Sequence, residues 1–169
     1  FQTAVARTVT TDPAEIRQRV RRAIGAESEL LLAPEFFTTW AAEHPSVAGL
    51  DIRVKRGSAD NELTRYRYDV VVHKIPTAAM SAADTPTCTW TDCADLGGLR
   101  ARLMSHRQDP LRVKDIPRTG LAADVRAEQD IAAGAPPGEV ADGVSPEHLH
   151  RLGESLGYDV AVTWGARAG

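Results

Sequence analysis

Two stretches of the chain alternate apolar and polar residues strictly enough to predict strands. Over residues 50–56, Leu50, Ile52 and Val54 fall on one face and Asp51, Arg53 and Lys55 on the other. That is the period of a half-buried strand. Over residues 66–73, Tyr66, Tyr68, Val70 and Val72 oppose Arg67, Asp69, Val71 and His73. Residues 57–64 between the two are few enough to make them antiparallel neighbours, with Asn61 and Glu62 in the connection.

Helical spacing accounts for much of the rest. Asp12, Pro13 and Glu15 carry the cap, first-turn proline and acidic residue of a helix start, and Ile16, Val20 and Ile24 follow as its apolar stripe. Arg17, Arg19, Arg21 and Arg22 cover its solvated side, and Gly25 ends it. After the short apolar run Leu30, Leu31, Leu32, a second helix starts at Pro34, packs Phe36, Phe37, Trp40 and Ala41 into a core, and ends by Pro45. Residues 76–86 read as an outer linker. A helix with Leu96, Leu99, Leu103 and Met104 follows, then a short strand at 111–113, a helix at 121–131 and a glycine- and proline-rich loop at 133–143. Ser145 caps a last helix with Leu149, Leu152 and Leu156 buried, and Gly157 stops it. Tyr158, Val160, Val162 and Trp164 then alternate as a final strand. Strands separated by helices predict an α/β lobe.

The length of 169 residues suits one domain or a domain with an appended lobe. Aromatics make up only 5%, so Ala, Val and Leu are the expected core material. A net charge of -3 excludes a whole-chain electrostatic attraction to nucleic acid. No apolar run approaches the ~20 residues of a membrane span. Two cysteines make no disulfide framework, so a reducing, cytoplasmic setting is expected. The chain opens on Phe1 without an initiator Met and closes just past a strand-like run. It reads either as cut from something longer or as a processed chain.

Phosphate loops, zinc spacings and nucleophile elbows are absent from the sequence. Cys88 and Cys93 have no second ligand pair, and His148 and His150 point different ways on a helix. His44, His73 and His106 have no chemical context. Residues 55–71 differ, because they crowd Asn, Glu, Arg and Tyr into a loop that opens a strand. Glu62 can accept from an amine or pair with an arginine, and Asn61 can donate and accept. Tyr66 and Tyr68 add aromatic faces with hydroxyl tips. Such a loop either clamps a polar substrate at a sheet edge or ties itself to its strand by ion pairs, and its chemistry fits both.

The same segment, KRG…NELTRYRYDVVVHK at 55–74, resembles the tail of the methyltransferase domain inserted into adenylation domains of nonribosomal peptide synthetases. ESELLLAPEFF at 27–37, LRVKDIPRTGLAADV at 111–125 and LGYDVAVTWG at 156–165 are similar to the same family. The resemblance implies transfer of a methyl group from S-adenosylmethionine to the amine of an aminoacyl group on a carrier protein. The family's glycine-rich turn and acidic ribose ligand are not in this chain, so the resemblance covers the back portion of the domain. S-adenosylmethionine is expected to serve the complete domain and not to bind this chain alone.

The fold class expected is α/β. Residues 1–75 would be the trailing part of a Rossmann-like methyltransferase sheet with its closing antiparallel pair, and residues 76–169 a small accessory α/β lobe. By the same resemblance Glu62, with Asn61, is the candidate for positioning the amine, and Tyr66 and Arg67 for the acceptor side. No metal is expected. The implied partners are an adenylation domain and a peptidyl carrier protein, not nucleic acid or membrane. The tail of a polyketide-type carbon methyltransferase and a non-catalytic interaction remnant are the alternatives. The former normally pairs a histidine with its acid, and none stands beside Glu62.

Overall fold

The computed structural model describes residues 2–59, 61–78, 82, 84–106, 109–135 and 143–164. It is a mixed α/β fold with one small antiparallel and one small parallel sheet. Helix α1 (Gln2–Arg7), which the hydrophobic pattern did not announce, packs with α2 (Pro13–Gly25). The Asp12 carboxylate caps α2 by accepting from the Ala14 N–H at 3.0 Å. Glu15 is engaged by Arg19, one turn on, at 2.8 Å. Ile16 is 1% exposed, in a core with Ala6 and Ile131, and Val20 packs against it. The expected stripe is therefore buried at its start only, because Ile24 stays 56% exposed.

Helix α3 (Pro34–Ala42) buries none of its residues completely. Phe37 meets Phe36 and Tyr68 edge-on, and Trp40 stacks on His44, but Phe36 is half exposed. The core packing expected of these aromatics is only partial.

Strands β1 (Val47–Val54) and β2 (Tyr68–Lys74) are antiparallel neighbours, as the alternation predicts. Their register sets Leu50 opposite Val72, Ile52 opposite Val70 and Val54 opposite Tyr68, so the two apolar rows share one face. The connection holds a short helix, α4 (Glu62–Tyr66). Tyr66 thus ends a helix and does not open the strand. A strand phase and a single helical turn cannot be told apart at one residue, and the local capping decides here. The other edge of β1 receives the chain's end: Val54 N–H donates to Val162 O at 3.0 Å, and Arg53 bridges to Thr163. Beyond that bridge, residues 158–162 are irregular, so the predicted last strand does not form.

The second half is built from β3 (Thr87–Thr89), α5 (Trp90–Cys93), α6 (Leu96–Ser105), β4 (Arg112–Lys114), α7 (Ala122–Ala132) and α8 (Pro146–Ser155). β3 pairs parallel with β4. Cys88, Cys93 and Leu99 are buried together, with Trp90, Leu103, Leu111, Val113, Leu149 and Leu152 packed around them. Gly98 is required here, because a Cβ would lie 1.8 Å from the Cys93 carbonyl oxygen. Met104 points away at 62% exposed. Ser145 precedes α8 but makes no side-chain cap bond, contrary to expectation. Gly157, at φ 83°, ends α8 as expected, with Tyr158 N–H returning to Gly153 O at 3.0 Å. Parts of the expected linker (79–81 and 83) and loop (136–142) lie outside the described residues. Among the described residues no helix is long and apolar enough to cross a membrane.

Side chains join the two halves. Arg17 Nη1 donates to Ile131 O at 2.5 Å, at the end of α7. Arg56 binds Glu147 at 2.9 Å and Glu154 at 2.5 Å, both on α8.

Candidate functional site

The segment singled out for its chemistry folds as a single capped turn. Asn61 is extended, and its side-chain oxygen accepts from Thr64 N–H at 3.1 Å. Thr64 Oγ1 accepts in return from Asn61 N–H at 3.1 Å, completing a reciprocal cap. Thr64 also donates to Ala59 O at 2.6 Å, which pins the loop to the helix start. Glu62 stands exposed in the first turn, where the helix dipole favours a carboxylate. Its side chain has no hydrogen bond or ion pair with another described residue. The ion-pair alternative for Glu62, with Arg65 or Arg67 as partner, therefore has no contact behind it.

Tyr66 lies four residues on, on the same side of the turn as Glu62. Its hydroxyl is turned to α7, where it donates to the Asp124 carboxylate. Burial first, and then the Asp124 charge and hydrogen bond, push the Tyr66 phenol up to about 12. It is a neutral donor across the ordinary pH range. Arg67 leaves the helix in an extended conformation and pairs with Glu29 at 3.5 Å. The structure therefore brings Asn61, Glu62 and Tyr66 onto one turn and sends Arg67 toward the segment before α3.

Two further contacts complete the surroundings, the first through Asp124, which the sequence did not single out. Asp124 anchors Tyr66, and Tyr68 donates to Leu32 O at 2.5 Å. The signal for the first was Asp124 in the opening turn of a helix, but nothing in the sequence linked it to a tyrosine 58 positions earlier. Among the described residues no group of three or more His, Cys, Asp or Glu could hold a metal ion. Gly97 and Gly98 lie inside α6 and so do not form a turn between a strand and a helix.

No family model matches the chain. Curated proteins do. A probable non-canonical nonribosomal peptide synthetase of Salinispora arenicola, CymA, is 35% identical over 151 residues, covering 88% of this chain and 2% of the relative. The chondramide synthase cmdD of Chondromyces crocatus is 30% identical over 169 residues, covering 90% of this chain and 4% of the relative. The chain's homologues are nonribosomal peptide synthetases. A more distant one, the cyclosporin synthetase simA of Tolypocladium inflatum, is 26% identical over 183 residues, covering 89% of this chain. The chain spans only 2% and 4% of the length of the first two synthetases. The matches reach across both halves of the fold, so the turn at 61–66 and the lobe that anchors it belong to one synthetase-like segment.

Proposed function

We propose that the chain is the trailing part of a methyltransferase domain within a nonribosomal peptide synthetase, and that the complete domain N-methylates a carrier-bound aminoacyl group with S-adenosylmethionine as donor. The observation that carries the reading is the NELTRYRYDV segment folded as a capped turn whose Glu62 carboxylate no described residue engages, in a chain whose homologues are nonribosomal peptide synthetases. Strand β2 supports it further. Val70, Val71 and Val72 put apolar side chains on both faces, and Val71 and Val72 are 47% and 38% exposed. Such a run suits a strand covered on both sides within a larger sheet.

In this reading Glu62 accepts a hydrogen bond from the amine and holds it toward the donor. Asn61 acts as a positioning residue, because its side chain fixes the start of the helix that carries Glu62. Tyr66, locked to Asp124, and Arg67 shape the acceptor side. In the same reading S-adenosylmethionine is gripped by the rest of the domain. The adenylation domain and the peptidyl carrier protein are the partners this reading assigns.

The test is Glu62→Gln in a complete synthetase module. Methyl transfer should fall on the order of ten- to a hundredfold, about 1.5–3 kcal/mol, with cofactor affinity and melting temperature unchanged. Unchanged turnover with a lowered melting point would remove Glu62 from the site.

A further inference from the structure

A cavity of about 190 Å³ opens beside α4, on the flank where Thr64 and Arg65 lie. Neither Glu62 nor any of the other three residues of the candidate site lines it. Its walls come from four separate parts of the chain: the end of β1 with the loop after it, α4, the turn before α7, and the start of α8. Each part contributes a cation, namely Lys55, Arg65, Arg118 and Arg151. Among the described lining residues the one carboxylate is Glu147, and it is already engaged by Arg56 at 2.9 Å and Arg151 at 3.0 Å. Lys55 also pairs with Asp69, and Arg118 lies 5.7 Å from the centre of the Trp164 ring. Ser145 lines the same space at the start of α8, and its hydroxyl caps no amide of that helix.

We propose that this cavity is an oxyanion site that takes the phosphate group of a phosphate monoester or diester. Guanidinium groups reaching one concavity from several elements match the oxygens of a tetrahedral anion, and charge-assisted hydrogen bonds to them are the strong kind. The site stands on its own geometry and does not depend on the methyltransferase reading.

The experiment titrates the full 169-residue chain with inorganic phosphate at constant ionic strength, following the phosphorus resonance and calorimetric heat. Saturable binding at one equivalent is expected. Lys55→Gln combined with Arg65→Gln should weaken it by about tenfold or more, while Arg21→Gln, exposed on α2, should leave it within about twofold. Ser145→Asp is the second variant. It supplies a better helix cap and puts a carboxylate at the cavity, so phosphate binding should vanish while the melting temperature holds or rises. Methyl phosphate and dimethyl phosphate, titrated in parallel, tell a terminal phosphate from an internal linkage by which binds more tightly. Absence of saturable phosphate binding, an equal loss in Arg21→Gln, or undiminished binding by Ser145→Asp would overturn the proposal.

Discussion

The β1–β2 pair and the lobe around β3 and β4 treat their apolar residues in opposite ways. In the lobe, two short strands and three helices close over Cys88, Cys93 and Leu99, and Leu149 and Leu152 of α8 complete the cover. Around the hairpin, Val71, Val72, Ile75, Leu30, Leu31 and Phe36 are all 38–84% exposed. The pair is well registered, yet it is covered on few sides. Regular pairing and burial are therefore separate achievements in this molecule. The lobe satisfies itself, whereas the hairpin offers a surface of the kind that marks an interface.

The sharpest way to break that contrast is to remove apolar volume from each region. Leu99→Ala should cost about 2–5 kcal/mol, because Leu99 is 5% exposed and packed on every side. Val71→Thr, on the hairpin, should change stability by less than about 0.5 kcal/mol in the same chain. Urea unfolding monitored by tryptophan fluorescence measures both. Comparable losses would show that the hairpin is as self-covered as the lobe.

A smaller effect is expected where the regions touch. Tyr66→Phe removes the hydroxyl that donates to Asp124 and should cost about 1 kcal/mol, the partial exposure of the pair keeping it low. The pH dependence carries the signature. The folded phenol ionises near 12 while the unfolded one ionises near 10, so its contribution is complete below pH 10 and is lost as pH rises toward 12. Thermal melts of the variant should lose that alkaline decline.

The smallest effect belongs to His150 on α8. Burial first, and then the Arg56 charge, lower its pKa below the usual 6.5. The fold thus disfavours the imidazolium, so this contribution is full above pH 6.5 and is lost as pH falls below it. His150→Gln should flatten the melting profile between pH 6.5 and 5, and an unaltered slope there would assign the acid sensitivity elsewhere.

Legibility in the sequence followed the length and regularity of each signal. β1 and β2 were readable because six consecutive register pairs, from Gly49 with His73 to Val54 with Tyr68, keep one alternating phase. β3 was not, since Thr87, Cys88 and Thr89 offer a single apolar position. The final strand was overread: its alternation is real, but only the stretch next to Arg53 finds a backbone to pair with. Asn61 and Glu62 were correctly set between the strands. Their helical turn was hidden because Tyr66 also fits the phase of β2, although Asn61 and Thr64 had the spacing of a reciprocal cap. Asp124 and the cations of the cavity come together only through tertiary contacts, which no local pattern encodes.

The contact between Arg17 and the Ile131 carbonyl spans 114 positions, and Ile16 is buried against the same residue. During synthesis α1 and α2 therefore leave the ribosome long before the helix that covers them exists. Their stripe waits, wet, while the hairpin, which closes a loop of a dozen or so residues, can already zip together. Loop-closure entropy thus ties the settling of the opening helices to the arrival of α7, well over a hundred residues later.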